Sequence, residues 1–417
     1  MKMKHMARLV PLALLALGSG QAAASGFALQ NQNGSGNGNA YAGAAAAAED
    51  ASTIFFNPAG MTYLPKGHNI SGAVTLLQRS LTFDNTGTSP STLSLVSSDD
   101  GGDAGGLSVI PAFYYSYSVN DKVFIGVGVS PTFGNATEWD DDFFGRYQGS
   151  YSEIKGININ PSIGYKVNDM VSLGFGLNFF KFEADLRSKV PVAGTDRESK
   201  LTGDDTAIGY NIGAMFQLSP TTRLGVTYRS KIELEVEGES ETPLGVTPAV
   251  VDVELPDSFS LAVSQQLSDK WEMLGDFTWT GWSSLPGLHV KNKNTGATLT
   301  NEALDFKDTY RIGLGANYKY NDSVKLRFGV AYDKSPVQSS ESRTVRLPDS
   351  DRTWLSFGVN YAFSKQTSVD VGYSHIFFKD SSIDRRTVIG TTATSQFVRG
   401  DFSTSADILS VQINHNF

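Results

Sequence analysis

Apolar and polar residues alternate with period two over stretches of ten or more residues, and this pattern recurs along most of the chain. From Val324 to Asp333, the residues Val324, Leu326, Phe328, Val330 and Tyr332 share one face, while Lys325, Arg327, Gly329 and Asp333 share the other. Residues 123–129, 157–165, 171–179, 224–236, 310–318, 355–363 and 409–417 repeat it. Strands of a soluble sandwich average about five or six residues, whereas a tilted strand needs ~9–11 to cross a bilayer. The polar face is also rich in Gly, Asn and Ser rather than in charge, as in a wall with lipid on one side and a watery lumen on the other.

Short polar turns punctuate these runs at 119–122, 167–169, 219–221, 267–270, 321–323 and 364–366, roughly every 50 residues. Six turns join twelve strands, and one more strand at each end makes fourteen, the even number expected of a bacterial barrel. The opposite connections are long, as at 84–107, 134–152 and 379–406. The pattern predicts an all-β membrane protein, a 14-stranded antiparallel transmembrane β-barrel with short periplasmic turns and long extracellular loops. Phe417 falls on the apolar face, as an interfacial aromatic would.

Composition bounds the function. With 34 Lys+Arg against 43 Asp+Glu and a net charge of −9, a nucleic-acid partner is not expected. The absence of Cys excludes disulfides, thiolate chemistry and Cys-ligated metals. Residues 1–24 carry a basic start, an apolar stretch over 9–17 and the small residues Ala22 to Ala24, the marks of an export signal with a mature start at Ser25. The remaining histidines, His68, His289, His375 and His415, stand in separate segments without a serine motif. No enzyme activity, cofactor or metal is expected. Asp140, Asp141 and Asp142 read as solvated charge rather than a cation site.

Residues 25–64 do not alternate. A Gly/Asn tract over 33–39 precedes an alanine run at 44–48 and then Asn57, Pro58 and Ala59, which predicts a short helix followed by a turn. A fourteen-stranded lumen is too wide for side chains alone to fill, so this segment is expected to plug it as a hatch, with 65–417 as the barrel.

Several motifs carry a resemblance: Ser25-Gly26-Phe27, the Gly34 to Gly43 tract, Asn57-Pro58-Ala59, Pro111 with Asn120-Asp121, Thr227-Tyr228-Arg229-Ser230, Phe306-Lys307-Asp308, and 333–356 around Ser335-Pro336-Val337 and Asp351-Arg352. Together they resemble the FadL-like outer-membrane transporters of long-chain fatty acids, in order over nearly the whole mature chain. The resemblance implies a hatch-plugged barrel in the outer membrane of a Gram-negative bacterium, acting as a monomer among membrane lipids and lipopolysaccharide. It also implies passive uptake of a hydrophobic ligand, a fatty acid or, as an alternative within the family, an aromatic hydrocarbon, which leaves sideways through the wall. A general porin or adhesin is the more distant alternative.

Specific residues follow. Trp139, Phe143, Phe144 and Tyr147, in the loop after the third strand, are candidates for an outer apolar catch, with an interfacial aromatic girdle as the other reading. In the third strand Pro131 removes a ladder donor beside Gly126, Gly128 and Gly134, so pairing is expected to fail there. The resemblance makes Pro131, Thr132, Phe133 and Gly134 the wall kink, with Phe27, Asn57, Pro58 and Ala59 as gating hatch residues beside it. A bulge at Phe179 is expected to turn Arg187 inward, where it and Lys307 are candidates to bind a carboxylate. Glu302 stands where the family has a second basic pocket residue, which weighs against a carboxylate ligand.

Overall fold

The computed structural model describes residues 26–89, 99–388 and 395–417; the expected export signal lies outside them. Its strands are β1 (His68–Asn85), β2 (Gly106–Ser118), β3 (Val123–Glu138), β4 (Tyr151–Lys166), β5 (Val171–Val192), β6 (Thr195–Ser219), β7 (Thr222–Arg229), β8 (Ile232–Thr242), β9 (Gly245–Leu255) and β10 (Ser258–Gln266). There follow β11 (Trp271–Thr280), β12 (Gly287–Asn292), β13 (Thr298–Ala303), β14 (Thr309–Lys319), β15 (Val324–Asp333), β16 (Arg352–Ala362), β17 (Thr367–Phe378), β18 (Ser381–Val388) and β19 (Ser395–Asn416).

Fourteen of these, β1 to β7, β10, β11, β14 to β17 and β19, close into an antiparallel barrel, because β1 pairs with both β2 and β19. The six predicted turns join the expected strands. In three of them an asparagine oxygen accepts from two following backbone amides, as Asn120 does from Lys122 and Val123, and Asn168 and Asn321 do at theirs. The other five strands pair in the long loops, and β8 with β9 forms a hairpin in register from Ile232↔Leu255 to Thr242↔Gly245.

The long strands outrun the membrane, and their two faces exchange chemistry as they do. Along β5, Leu173, Phe175, Leu177 and Phe179 point outward as an apolar band, while Ser172 and Asn178 point inward. Beyond Phe179 the register runs on without a shift against either β4 or β6, so the expected bulge is absent. Instead the outward face becomes Lys181, Glu183, Asp185 and Arg187, and the inward face becomes the buried Phe180 and Phe182. The outer surface passes from lipid to water, and the inner one from polar lumen to an apolar cavity. The β8 hairpin strand lies wholly in the second regime, with Ile232, Leu234 and Val236 buried inward and Glu233, Glu235 and Glu237 exposed.

Residues 26–64 lie inside the barrel. They form three short helices, Gly34–Gly38, Ala44–Ala47 and Thr53–Phe56, and a 3-10 turn, Pro58–Tyr63. The alanine run makes only the second of these, ended by Ala48 at a φ of 48°. The Gly/Asn tract is helical despite its poor propensity because close packing outweighs it. A Cβ on Gly34 would lie 2.9 Å from the Asp370 carbonyl oxygen, and one on Gly38 2.9 Å from the Gly358 Cα. The wall reciprocates: a Cβ on Gly329 would lie 2.1 Å from the Asn39 carbonyl carbon. Much of the glycine on the inward faces is therefore a seat for the hatch backbone. Gly126, read as a place to bend, is one such seat, with Ile54 and Met61 against it.

Candidate functional site

The wall fails where Pro131 predicts. Pairing between β2 and β3 stops at Phe113↔Val129, although β2 continues to Gly106 on its other side with β1. On the β4 side, Thr132 is an extra residue between Pro131↔Ile157 and Phe133↔Gly156, a bulge that bends β3 away from β2. Part of the freed edge is taken up from inside. Leu29 N donates to Thr132 O at 2.8 Å and Gly134 N to Phe27 O at 2.8 Å, so Phe27 to Leu29 acts as a short strand. Side chains span the rest of the break. Gln32 Nε2 donates to Pro131 O at 2.8 Å while its oxygen accepts from the Tyr114 hydroxyl of β2 at 2.6 Å. Arg79 of β1 reaches Asn135 Oδ1 at 3.1 Å and Ala136 O at 2.5 Å.

Above this break lies an apolar cavity of about 100 Å³, lined by Phe27, Phe182, Val236, Val253, Leu304 and Phe306, with Arg346 and Glu302 among its few polar residues. Its floor is aromatic. The Phe27 ring stands 4.9 Å from Trp282 and 5.8 Å from Phe133. One residue on, Ala28 joins Thr132 and Phe133 in lining a second cavity of about 130 Å³ that also touches Arg229, Asp276 and Arg311. Phe27 and Phe133 thus stand between the two spaces. At the other end, a polar vestibule of about 730 Å³ lies beneath the hatch, lined by groups such as Glu49, Arg223, Lys325 and Asp370.

The structure redistributes the residues singled out from sequence. Phe27 lies against Thr132 to Gly134. Asn57, Pro58 and Ala59 do not join them, because they pack on β4 to β7. Asn57 Nδ2 donates to Ala45 O at 2.9 Å and to Ala214 O of β6 at 3.1 Å, and a Cβ on Gly174 of β5 would lie 2.1 Å from Ala59 N. Asn57 anchors the hatch to the wall, so Asn57→Ala is expected to destabilise the barrel by about 1–3 kcal/mol through the orphaned carbonyls. An unchanged thermal midpoint in detergent would remove that role.

Trp139, Phe143 and Tyr147 form no exposed catch. They are 5 %, 0 % and 6 % exposed. Trp139 stacks on Phe143 at 4.2 Å and, with the partly buried Phe144, joins Leu81, Phe83 and Phe402 in a core that holds the loops over the barrel mouth. Asp141 of the acidic trio pairs with Lys189 at 2.7 Å.

Neither cation proposed for a carboxylate is in the cavity. Arg187 lies on the outward face, paired with Asp185 at 2.8 Å and laid over the Tyr151 ring, because the register never shifts at Phe179. Lys307 is exposed while its neighbour Phe306 points in. The cavity's cation is Arg346, from the loop before β16, whose Nη1 donates to Tyr151 O at 2.7 Å and Ser152 Oγ at 3.1 Å. Arg346 sits in irregular chain, where no periodicity tells inside from outside. The alternating Glu233 to Glu237 stretch and the change of face beyond Phe179 were the signals that an apolar interior continues above the membrane.

A family described as outer membrane protein transport protein (OMPP1/FadL/TodX) matches residues 15–417. The long-chain fatty acid transport protein of Salmonella typhi is 30% identical over 365 residues, covering 79% of this chain and 82% of that protein. Among solved structures, a Pseudomonas aeruginosa FadL homologue superposes with a TM-score of 0.88 at 24% identity, over 94% of this chain and all (100%) of the other. The Ralstonia pickettii toluene transporter TbuX does so with a TM-score of 0.68 at 17% identity, over 93% and 99%. These two likenesses speak to the fold.

Proposed function

Because the chain belongs to the OMPP1/FadL/TodX family of outer membrane transport proteins, we propose that it carries hydrophobic small molecules passively across the Gram-negative outer membrane and releases them through the wall beside β3. The relatives bear the names of long-chain fatty acid and toluene transporters, and both cargo classes share the apolar body that the upper cavity suits. The observation that carries the route is that the cavity lies directly above the break between β2 and β3, with Phe27 lining the one and paired to the freed edge of the other.

A vertical exit suits such cargo poorly. The hatch fills the lumen, and the space beneath it is polar, so an apolar molecule would gain nothing by entering it. A lateral exit delivers the molecule to the hydrocarbon of the membrane, at the level where Thr132 and Phe133 line the second cavity. Cargo passing from the upper cavity to the second has to displace Phe27 or Phe133. The chain then acts by binding and gating rather than catalysis, as a monomer seated among lipid and lipopolysaccharide.

Purified protein reconstituted in liposomes should take up a long-chain hydrophobic probe saturably without an energy source. It should also show little ion conductance in planar bilayers. Large steady open-pore currents in the wild type would overturn the transporter reading in favour of a porin. Mass spectrometry of lipids and hydrocarbons released on denaturation identifies the cargo class directly.

A further inference from the structure

The polar end of the upper cavity is an incompletely used ion pair. Glu302 of β13 stands 4.0 Å from Arg346 Nε and 3.8 Å from Arg385 Nη2, beyond hydrogen-bond range of both. Arg385 is occupied elsewhere: its guanidinium donates to the carbonyls of Glu341, Ser342 and Ala303 at 3.2, 3.1 and 2.7 Å, and it does not line the cavity. Arg346 differs. Its Nη1 is satisfied by the β4 backbone and Ser152, but its buried Nε has no partner among the described residues. Neither Glu302 oxygen accepts a hydrogen bond among the described residues either. The polar end of the cavity therefore holds one unpaired donor and one unpaired acceptor, 4.0 Å apart, in a mostly apolar lining.

We propose that Arg346 and Glu302 select long-chain cargo with a neutral head that both donates and accepts a hydrogen bond, of which a primary alcohol is the simplest, and disfavour an ionised carboxylate. An alcohol oxygen set about 2.8 Å from each group accepts from Arg346 Nε and donates to Glu302. A carboxylate has no proton to give Glu302 and brings a second negative charge beside it. Glu302 already supplies the negative partner that a fatty acid would otherwise bring to Arg346. A pure hydrocarbon leaves both groups as they are and gains only from burial.

This assignment rests on the reading of the upper cavity as the cargo site, and its test separates the two. Binding of radiolabelled hexadecan-1-ol, hexadecanoate and hexadecane is measured on the purified barrel in detergent at about pH 9, where the acid is ionised. The alcohol is expected to bind roughly tenfold more tightly than hexadecanoate, which corresponds to about 1.4 kcal/mol of differential interaction. In E302Q the difference should close, with hexadecanoate gaining roughly tenfold, because Arg346 then faces a neutral amide. R346L should narrow the difference between alcohol and hydrocarbon, since only the bond to Glu302 is left. Equal or tighter binding of hexadecanoate to the wild type, unchanged in E302Q, overturns the head-group assignment and leaves the cargo site standing. Binding of none of the three, with F182W and V236W also leaving liposome uptake of the probe unchanged, overturns the cavity reading and the assignment together.

Discussion

Replacing Arg327 with alanine is expected to unseat the hatch, turning a sealed barrel into a steadily conducting one and costing about 3–5 kcal/mol of stability. Arg327 projects from β15 into the lumen and is 2 % exposed. Its Nη2 donates to Glu49 Oε2 of the hatch at 2.7 Å and to Asp370 Oδ1 of β17 at 2.8 Å, and its Nη1 reaches Asn39 Oδ1 of the hatch at 3.3 Å. One side chain thus ties two hatch positions to two wall strands. Without it Glu49 and Asp370 face each other with Lys325, 3.0 Å from Glu49, as the remaining cation. The measurements are single-channel conductance in planar bilayers and the thermal midpoint in detergent. Wild-type-like currents from a folded R327A barrel would show that backbone seating alone holds the hatch.

The same latch has a defined response to acid. Burial alone would raise the Glu49 carboxyl, but Arg327 and Lys325 outweigh it and hold that group well below the usual carboxylate range. A lowered folded-state value means stabilisation that is present above the ordinary carboxylate range and lost only as pH falls through the depressed one. Wild-type conductance at about pH 5 is therefore expected to match that at neutral pH.

Tying the Phe27 segment to β3 is expected to stop transport while leaving the barrel folded. Ala28 and Phe133 face each other between two backbone bonds, Leu29 N to Thr132 O and Gly134 N to Phe27 O, which makes them the closely spaced, non-hydrogen-bonded kind of pair. The chain contains no Cys, so within one molecule A28C/F133C can form only the intended bridge. If cargo has to displace this segment to pass from the upper cavity to the wall break, oxidation should lower probe uptake by roughly tenfold or more, as when a gating motion is blocked. Reductant should restore the rate of the reduced double variant, and F133C alone controls for loss of the ring. Uptake that is indifferent to oxidation would show that cargo passes without moving Phe27.

Much of this was legible in the chain. The turns at Asn120, Asn168 and Asn321 could be read because an Asx turn is a local arrangement whose partners are two or three residues away. The wall break at Pro131 could be read because a proline lacks its ladder donor wherever it is placed. Arg187 could not be placed. Period two shows that it shares a face with Lys181, yet says nothing about whether that face looks into the lumen, and the membrane boundary near Phe179 exchanged the usual signs. The aromatic loop failed for a related reason: Trp139 and Phe143 look the same in sequence whether they wait for a ligand or pack on Phe83 and Phe402.

The sequence by itself determined a closed barrel of alternating strands, the positions of its turns, an N-terminal segment of different character and the strand in which the wall breaks. Each of these follows from local chemistry or a repeating period. Only the tertiary structure decided that Phe27 to Leu29, rather than Asn57 to Ala59, pairs with that break, and that Arg346 and Glu302 share the cavity. Those contacts join residues about a hundred positions apart in one case and across irregular loops in the other. There the partner is set by how far a strand extends and where a loop folds back, which no periodicity encodes.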